Sequence, residues 1–172
     1  MSTHRIVIRR AVPADFDAIC ELAEQMDRRF RKHLPDRFRK PRGRVRHRDR
    51  TEELMHDPNT LLAVAEQDHR VVGIVNAGLK EMPDYPQKRP LRSVVIRGIV
   101  VRSTHRRRGI GTRLLAEVKR WALGLDADEL QASVYDFDSA ARAFFVQAGM
   151  TLLSHRLALP LKPSRPRFIR RT

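Results

Sequence analysis

The sequence has a single cysteine among its 172 residues, Cys20, which excludes an internal disulfide and provides no cysteine cluster for a metal ion. No apolar run approaches the length of a membrane span, and the first residues, MSTHRIVIRRAVPADF, lack the apolar core of a signal peptide. We therefore expect a soluble, cytoplasmic protein without membrane contact and without a metal cofactor. Cys20 is expected to pack as a small apolar residue on a helix.

Acidic residues are scarce relative to basic ones. The chain has 20 Asp and Glu against 35 Lys and Arg, which gives a net charge of +15 and a pI near 11.4. Much of the excess lies in residues 28–50, expected to be a mobile loop between the first two helices, and in a disordered tail at 161–172. A positive field attracts acidic substrates and polyanions, so these segments either contact such a partner or are simply solvated.

Aromatic residues are also few, at 6% of the chain, and they do not interleave with the basic runs. A surface on which nucleic-acid bases could stack is therefore not evident, which argues against nucleic-acid binding as the main function. Nonspecific contact with a polyanion through the two basic segments stays open. Such contact through many arginines would weaken steeply with salt.

The hydrophobic pattern predicts one α/β domain over residues 1–160. Apolar residues make up 41% of the chain, which is ordinary for a globular protein. Alternation of apolar and polar residues predicts strands, and spacings of three and four predict helices in the order β-α-α-β-β-β-α-β-α-β. The predicted strands are residues 5–10, 61–66, 70–80, 94–101, 129–135 and 152–159, and the predicted helices begin near residues 13, 51, 110 and 138.

The central stretch VVIRGIVVRSTHRRRGIGTRLL predicts an anion site. It consists of a buried strand, a turn rich in arginine and glycine, and an amphipathic helix. The first N–H groups of a helix lack intrahelical partners, and the peptide dipoles add positive charge there. Gly109 and Gly111 allow close backbone approach and conformations unfavourable for other residues, and Arg106, Arg107 and Arg108 add charge. No lysine follows the second glycine as in a Walker loop.

The segment VRSTHRRRGIGTRLL resembles motif A of the GNAT superfamily of acetyl-CoA-dependent N-acetyltransferases. That motif has an Arg or Gln, two residues, a Gly, one residue and a Gly or Ala, matched here by Arg106, Gly109 and Gly111. The segment LQASVYDFDSAARAFFVQAGM resembles motif B, a strand and a helix that ends at a glycine. The resemblance covers at least residues 94–153. It implies an α/β GNAT fold with a central mixed, mostly antiparallel sheet of about six to seven strands flanked by helices, in a protein that can form a homodimer.

The resemblance also implies that acetyl-CoA is the co-substrate. It would bind in a cleft where the motif A strand diverges from the strand after the helix. The pantetheine arm would follow the backbone of residues 99–101, and the pyrophosphate would lie on the N–H groups of residues 107–112. The cofactor-binding residues implied in this way are Ile99, Val100, Val101, Arg106, Arg107, Arg108, Gly109, Ile110, Gly111, Thr112, Asp138, Phe144 and Phe145.

The sequence departs from the family pattern at both positions used for proton transfer. Many GNAT enzymes carry a carboxylate on the motif A strand, but SVVIRGIVV has none and has Arg97 at its centre. The tyrosine often present in the motif B helix corresponds to Phe145. The backbone N–H that stabilises the oxyanion in the family corresponds to that of Ile99 or Val100.

Substitutes for the missing groups lie near the expected cleft. Tyr135, at the end of the strand lining it, is our preferred catalytic residue. Asp136 beside it, and Glu81 and Asp84 in the loop before motif A, are the alternatives as proton acceptors or as groups that orient water. For each of the four, a role as an ordinary loop or strand-end residue stays open. His105 is expected to contact phosphate or solvent.

The resemblance thus implies an N-acetyltransferase that transfers the acetyl group of acetyl-CoA to a primary amine by direct attack in a ternary complex. The acceptor is a small molecule, or a protein or peptide amine, and the basic segment suggests that it carries negative charge. Two alternatives stay open: a GNAT-like protein that binds acetyl-CoA with little turnover, or a basic module associated with nucleic acid. Both alternatives are binding modules, and the missing carboxylate and Phe145 favour that class.

Overall fold

The computed structural model describes residues 5–43, 45–83, 86–87 and 89–161. Asp84 and the tail at 162–172, both named in the sequence-based predictions, lie outside the described residues. The helices and strands are β1 (Ile6–Arg10), α1 (Phe16–His33), α2 (Arg48–His56), β2 (Thr60–Gln67), β3 (Arg70–Met82), β4 (Leu91–Val101), α3 (Ile110–Gly124), β5 (Glu129–Ala132) and α4 (Ser139–Gln147).

The five strands form one sheet in the order β1-β2-β3-β4-β5. Neighbours are antiparallel except β4 and β5, which are parallel because α3 connects them. The β2–β3 hairpin turns at Asp68 and His69, both with positive φ, as a two-residue hairpin turn requires. The predicted hairpin is therefore present, with each strand slightly longer than expected.

Helices cover both faces of the sheet. Alternate residues of β2 belong to different clusters: Leu61 and Ala63 pack with Leu114 of α3, whereas Leu62 packs with Leu22 of α1. This separation follows from the two-residue period of a strand. α3 and α1 therefore lie on opposite faces, and the strands between them supply the core that fixes their positions. Within the described part of the chain, no helix combines the length and apolarity needed to cross a membrane.

β4 carries a β-bulge at its centre. Consecutive residues of β3 pair with Ile96 and Gly98, so Arg97 between them has no partner on β3. The pairing of β4 with β5 ends at Ile96 and Ala132, yet β4 continues to Val101. Because a bulge bends and twists its strand, the second half of β4 separates from β5. The edge that β5 leaves uncovered forms one wall of a cleft.

The expectation of a loop over residues 28–50 is wrong in its bounds. α1 continues to His33 and α2 begins at Arg48, so the connection spans residues 34–47. Ion pairs of Arg28 and Arg31 with Glu24 lie along α1 and stabilise its last turns. Apolar spacing also continues there, since Met26 and Phe30 lie on one face. The many arginines near the end of α1 suggested a loop, although the apolar spacing typical of a helix continues there.

The predicted last strand at residues 152–159 is not formed. These residues belong to no strand or helix, and Leu152, Leu153, Leu157 and Leu159 are 69–93% exposed. Alternation indicates an extended chain, but a strand also needs a neighbour with which to form hydrogen bonds. β5 is correspondingly short, four residues instead of the predicted seven at 129–135. The described sheet thus has five strands and not six to seven.

Arg9 of β1 connects the start of α1 to β2. Its guanidinium donates to both oxygens of Asp15, at 2.7 and 2.9 Å, and to Glu66 at 2.6 Å. The N–H of Val12 also donates to Asp15, at 2.9 Å. Burial alone would raise the pKa of Asp15, but the hydrogen bonds from Arg9 and Val12 outweigh burial and hold the pKa below its ordinary value. The carboxylate therefore stabilises the fold while it is ionised.

Asp15→Asn is expected to lower the free energy of unfolding at neutral pH by about 1–3 kcal/mol, because charge-assisted hydrogen bonds are lost. A carboxyl whose pKa is lowered by folding contributes stability above its unfolded pKa, near 3.9, and this contribution is lost as pH falls through the folded pKa. The difference between the parent chain and the variant should therefore shrink below about pH 4, as measured by urea unfolding. Asp17→Asn, exposed in the first turn of α1, is the control. An equal loss in the control, or a difference independent of pH, would contradict this role.

Candidate active site

A cleft of about 520 Å³ opens where β4 and β5 diverge. Its walls are the second half of β4, the turn that leads into α3, the segment from β5 into α4, and the C-terminal half of α1. The volume lies in the range typical of small-molecule sites. The bulge in β4 therefore opens a space of suitable size at the centre of the molecule.

The backbone of β4 presents hydrogen-bonding groups to this cleft. The N–H of Arg102 donates to Val72 on β3, at 2.8 Å. The carbonyl of Val101 points the other way and accepts from Gln25 at 3.1 Å and from Arg106 at 3.2 Å. Because successive residues of a strand direct these groups to opposite edges, the N–H and C=O of Ile99 also face away from β3. Those of Val100 face β3.

The turn after β4 exposes the first N–H groups of α3. Gly109 is the N-cap, with φ of 74°, in the left-handed region that favours glycine. The first backbone hydrogen bond of the helix runs from the N–H of Arg113 to Gly109, at 3.1 Å. The N–H groups of residues 110–112 therefore have no partner within the helix. Arg106 and Arg107 line the same end of the cleft and add positive charge.

Gly111 has a different role from the one its motif suggested. It lies in α3 with an ordinary helical conformation, and a Cβ there would lie 3.3 Å from the ring of Phe144 on α4. The missing side chain lets the two helices approach beside the cleft. Phe145, the neighbour of Phe144 in sequence, is 8% exposed and belongs to the core while touching the cleft.

The structure brings almost all predicted site residues together. Arg108 is the exception among the predicted cofactor residues, because it is exposed and does not line the cleft. The predicted residues that line the cleft are Ile99, Val100, Val101, Arg106, Arg107, Gly109, Ile110, Gly111, Thr112, Tyr135, Asp138, Phe144 and Phe145. His105 also lines it, as expected for a residue near bound phosphate.

One end of the cleft was missed by sequence reasoning. Gln25, Met26, Arg29 and Phe30 of α1 line it, together with Arg97 at the bulge. The α1 residues lie about seventy positions before motif A in the sequence, and part of this stretch was expected to be a loop. The periodic apolar residues of α1 were the available signal for this wall.

Carboxylates are scarce in the cleft. Among the described residues that line it, Asp138 is the one carboxylate. It caps α4 by accepting from the N–H of Ala141 at 3.0 Å, and it accepts from Arg29 at 2.8 Å. The last helix therefore begins where the sequence predicted, near residue 138. Both hydrogen bonds are accepted by Oδ1, and they link α1 to the start of α4.

The alternative proton acceptors lie elsewhere. Glu81 belongs to β3 and not to the following loop, and its carboxylate lies 3.4 Å from Arg92. The side chain of Asp136 is fully exposed, 3.9 Å from Arg142. Neither lines the cleft. Tyr135 does line it and is 43% exposed.

The charge of the cleft is strongly positive. Arg29, Arg97, Arg106 and Arg107 line it against the single carboxylate of Asp138. Such an environment attracts phosphate groups and repels ligands with several positive charges. The described residues include no group of three or more His, Cys, Asp or Glu placed to hold a metal ion.

Comparisons with solved structures agree with the fold. A mutant protein of Bacillus halodurans is 23% identical, with a TM-score of 0.86 over 91% of this chain and 99% of that chain. The aminoglycoside antibiotic 6'-N-acetyltransferase of Acinetobacter baumannii is 17% identical, with a TM-score of 0.69 over 92% and 99%. Glucosamine-6-phosphate N-acetyltransferase of Arabidopsis thaliana is 14% identical, with a TM-score of 0.68 over 92% and 99%.

At these identities the structural likeness shows the fold alone. A search of curated protein sequences found no match. The model of the acetyltransferase (GNAT) family matches residues 25–150, which include the second half of α1, the bulged strand, the turn and α4. This match covers most of the chain and confirms the family indicated by the two motifs. The chain therefore belongs to the GNAT family of acetyltransferases.

Proposed function

We propose that the protein is an acetyl-CoA-dependent N-acetyltransferase that acts on a primary amine. The observation that carries the proposal is the uncovered edge of β4 leading directly into the N-terminus of α3. One end of the cleft offers unpaired N–H groups and two arginines for phosphates, and its centre offers strand hydrogen-bonding groups for an extended amide-containing arm. Coenzyme A has both features.

The residues present fit the cofactor. The pyrophosphate would accept from the N–H groups of residues 110–112, with Arg106 and Arg107 adding charge. The pantetheine amides would bond to the backbone of Ile99 and to the N–H of Val101. The carbonyl of Val101 is already engaged by Gln25 and Arg106. These side chains hold the end of β4 in place for the cofactor.

The reaction follows from this placement. The neutral amine nitrogen attacks the thioester carbonyl carbon, and the carbonyl electrons move to oxygen. The N–H of Ile99, which alternation directs toward the cleft, supports this residue and not Val100 as donor to the oxyanion. Collapse restores the C=O bond and expels the CoA thiolate. A proton leaves the nitrogen, which yields an N-acetylated amine and CoA.

Proton transfer relies on few groups in this protein. A carboxylate on β4 is missing, and Phe145 cannot donate a proton to the thiolate. Thiols titrate near pH 8.5, so the thiolate is an adequate leaving group without an acid. Tyr135 supplies a hydroxyl in the cleft, and we assign it the role of relaying the proton between the reacting groups and water.

Ion pairing weighs against the second alternative, a basic module that binds nucleic acid. Many arginines of residues 28–50 are paired within the chain and are not free to neutralise phosphates. Those with a carboxylate partner are Arg28, Arg29, Arg31, Arg46, Arg48 and Arg50. The other alternative is binding of acetyl-CoA with little turnover. It is favoured by the hydrogen bonds that Asp138 already accepts within the chain, and an activity assay tests it.

Acetyl-CoA at about 100 times its dissociation constant should raise the melting temperature by roughly 5–11 °C. The shift should persist from low to moderate salt, because backbone N–H groups hold the pyrophosphate. Differential scanning fluorimetry measures the melting temperature with and without acetyl-CoA at each salt concentration. A shift that disappears with salt would instead indicate nonspecific binding to the arginines, and no shift would exclude the cofactor site.

Gly111→Val should weaken acetyl-CoA binding at least tenfold in a calorimetric titration, because the new side chain displaces the ring of Phe144 into the cleft. Gly124→Val, at the other end of α3, is the matched control. A Cβ at residue 124 meets nothing within 4 Å, so its affinity should be unchanged. If the two variants bind acetyl-CoA with equal affinity, Gly111 does not shape the cofactor site.

Tyr135→Phe retains the ring and removes the hydroxyl. If the hydroxyl relays the proton, kcat should fall about 10²-fold, with the KM for acetyl-CoA unchanged. Steady-state kinetics across pH 6–9 test this prediction. Unchanged kcat across that range would remove Tyr135 from the mechanism.

A further inference from the structure

Five aromatic rings gather where α1 meets the segment before α4. They lie on other elements than the turn at residues 102–109, which we call the phosphate turn. We call these five rings the ring cluster: Phe30 and His33 of α1, Phe38 after it, and Tyr135 and Phe137 before α4. Their ring centroids lie 4.5–6.1 Å apart in six contacts. The chain has only seven Phe, two Tyr and one Trp, so four of its ten residues of these types meet here.

The ring cluster opens to the cleft through two of its members. Phe30 and Tyr135 line the cleft beside Met26. The remaining three rings stack behind them, with His33 parallel to Phe137 at 4.5 Å. The ion pair between Arg29 and Asp138 also links α1 to the segment before α4. The cleft-lining rings are therefore held in fixed positions from behind, as a preorganised binding surface requires.

The position of the ring cluster relates it to the acceptor. Phosphates occupy the α3 end of the cleft in the proposed complex, and the thioester lies near Ile99. The remaining space runs from the bulge toward Phe30 and Tyr135. An amine that reaches the thioester must place the rest of its structure there. That space has apolar and aromatic walls, and Arg29 brings a positive charge to it.

We propose that the acceptor is a monoamine that carries an aromatic ring, which packs on Phe30 and Tyr135. This proposal rests on the proposed acetyltransferase function and names the substrate class of that site. Aromatic rings favour offset-stacked or edge-to-face partners at the spacings seen in the cluster. Ligands with several ammonium groups are disfavoured by the arginines and meet one carboxylate among the described residues of the cleft, that of Asp138, which is already paired with Arg29.

An amine panel tests the proposal, with CoA release as the assay. Phenethylamine should exceed ethylamine in kcat/KM by about 10- to 100-fold, because its ring leaves water. It should exceed 2-cyclohexylethylamine by about 2- to 10-fold, because the saturated ring lacks the aromatic interaction. Kanamycin, a polycation, should be a poor acceptor. Equal values for phenethylamine and ethylamine, or preference for kanamycin, would overturn the proposal.

Variants connect the preference to the ring cluster. Phe30→Leu should raise the KM for phenethylamine about tenfold and leave the KM for acetyl-CoA unchanged. Phe137→Leu, which removes a supporting ring, serves if the first variant does not fold. Trp121→Leu, which removes an aromatic ring on α3 outside the ring cluster, is the control. It should change neither the KM for phenethylamine nor the KM for acetyl-CoA. Loss of the preference in the control, or its retention in both cluster variants, would contradict the assignment.

Calorimetry separates failure of this proposal from failure of the proposed function. CoA is titrated into the protein first. Phenethylamine and ethylamine are then titrated into the protein saturated with CoA, so that amine binding is measured without turnover. Absence of CoA binding would overturn the acetyltransferase function. CoA binding with no difference between the two amines would overturn only the ring-cluster proposal. Tighter binding of phenethylamine, lost in Phe30→Leu, supports it even if turnover is slow.

Discussion

The site depends on the interruption of strand pairing at Arg97. Before the bulge, β4 is hydrogen-bonded on both edges, to β3 and to β5. After it, β4 stays in the sheet through β3 alone, and the groups of Ile99 face a cleft. The buried clusters on both faces of the sheet hold β4 in place despite this missing neighbour. The fold thus maintains unpaired backbone groups where an extended ligand can satisfy them.

Charge compensation shapes the rest of the surface. A net charge of +15 opposes a compact fold through repulsion between like charges, and local ion pairs offset part of that repulsion. Several arginines of α1 and α2 pair with carboxylates of the same helices, and Arg9 pairs with Asp15 and Glu66. In the cleft, Arg29 pairs with Asp138 and thereby fastens α1 to α4. The arginines near the phosphate turn then give the cleft a positive field that suits an anionic cofactor.

Local signals predicted the turn into α3 and the start of α4 near residue 138, because glycine conformation, helix dipoles and capping act within a few residues. The two motifs therefore indicated the correct fold and many of the residues that line the cleft. The wall that α1 forms was not predicted, since Phe30 comes into contact with Tyr135 only through long-range packing. The apolar alternation at residues 152–159 predicted a strand because a sequence pattern does not reveal whether a neighbouring strand is present. Arg108, at a position that the motif leaves unspecified, is exposed and does not line the cleft.

Amide hydrogen exchange with and without acetyl-CoA tests the central claim most directly. The claim is that the uncovered edge of β4 and the first turn of α3 hold the cofactor through backbone groups. The predicted result is slower exchange at the amides of Ile99 and Val101 and of residues 110–112, with little change at Val100, whose N–H already faces β3. Protection confined to the arginine-rich residues 34–47, with none on β4 or α3, would contradict the account.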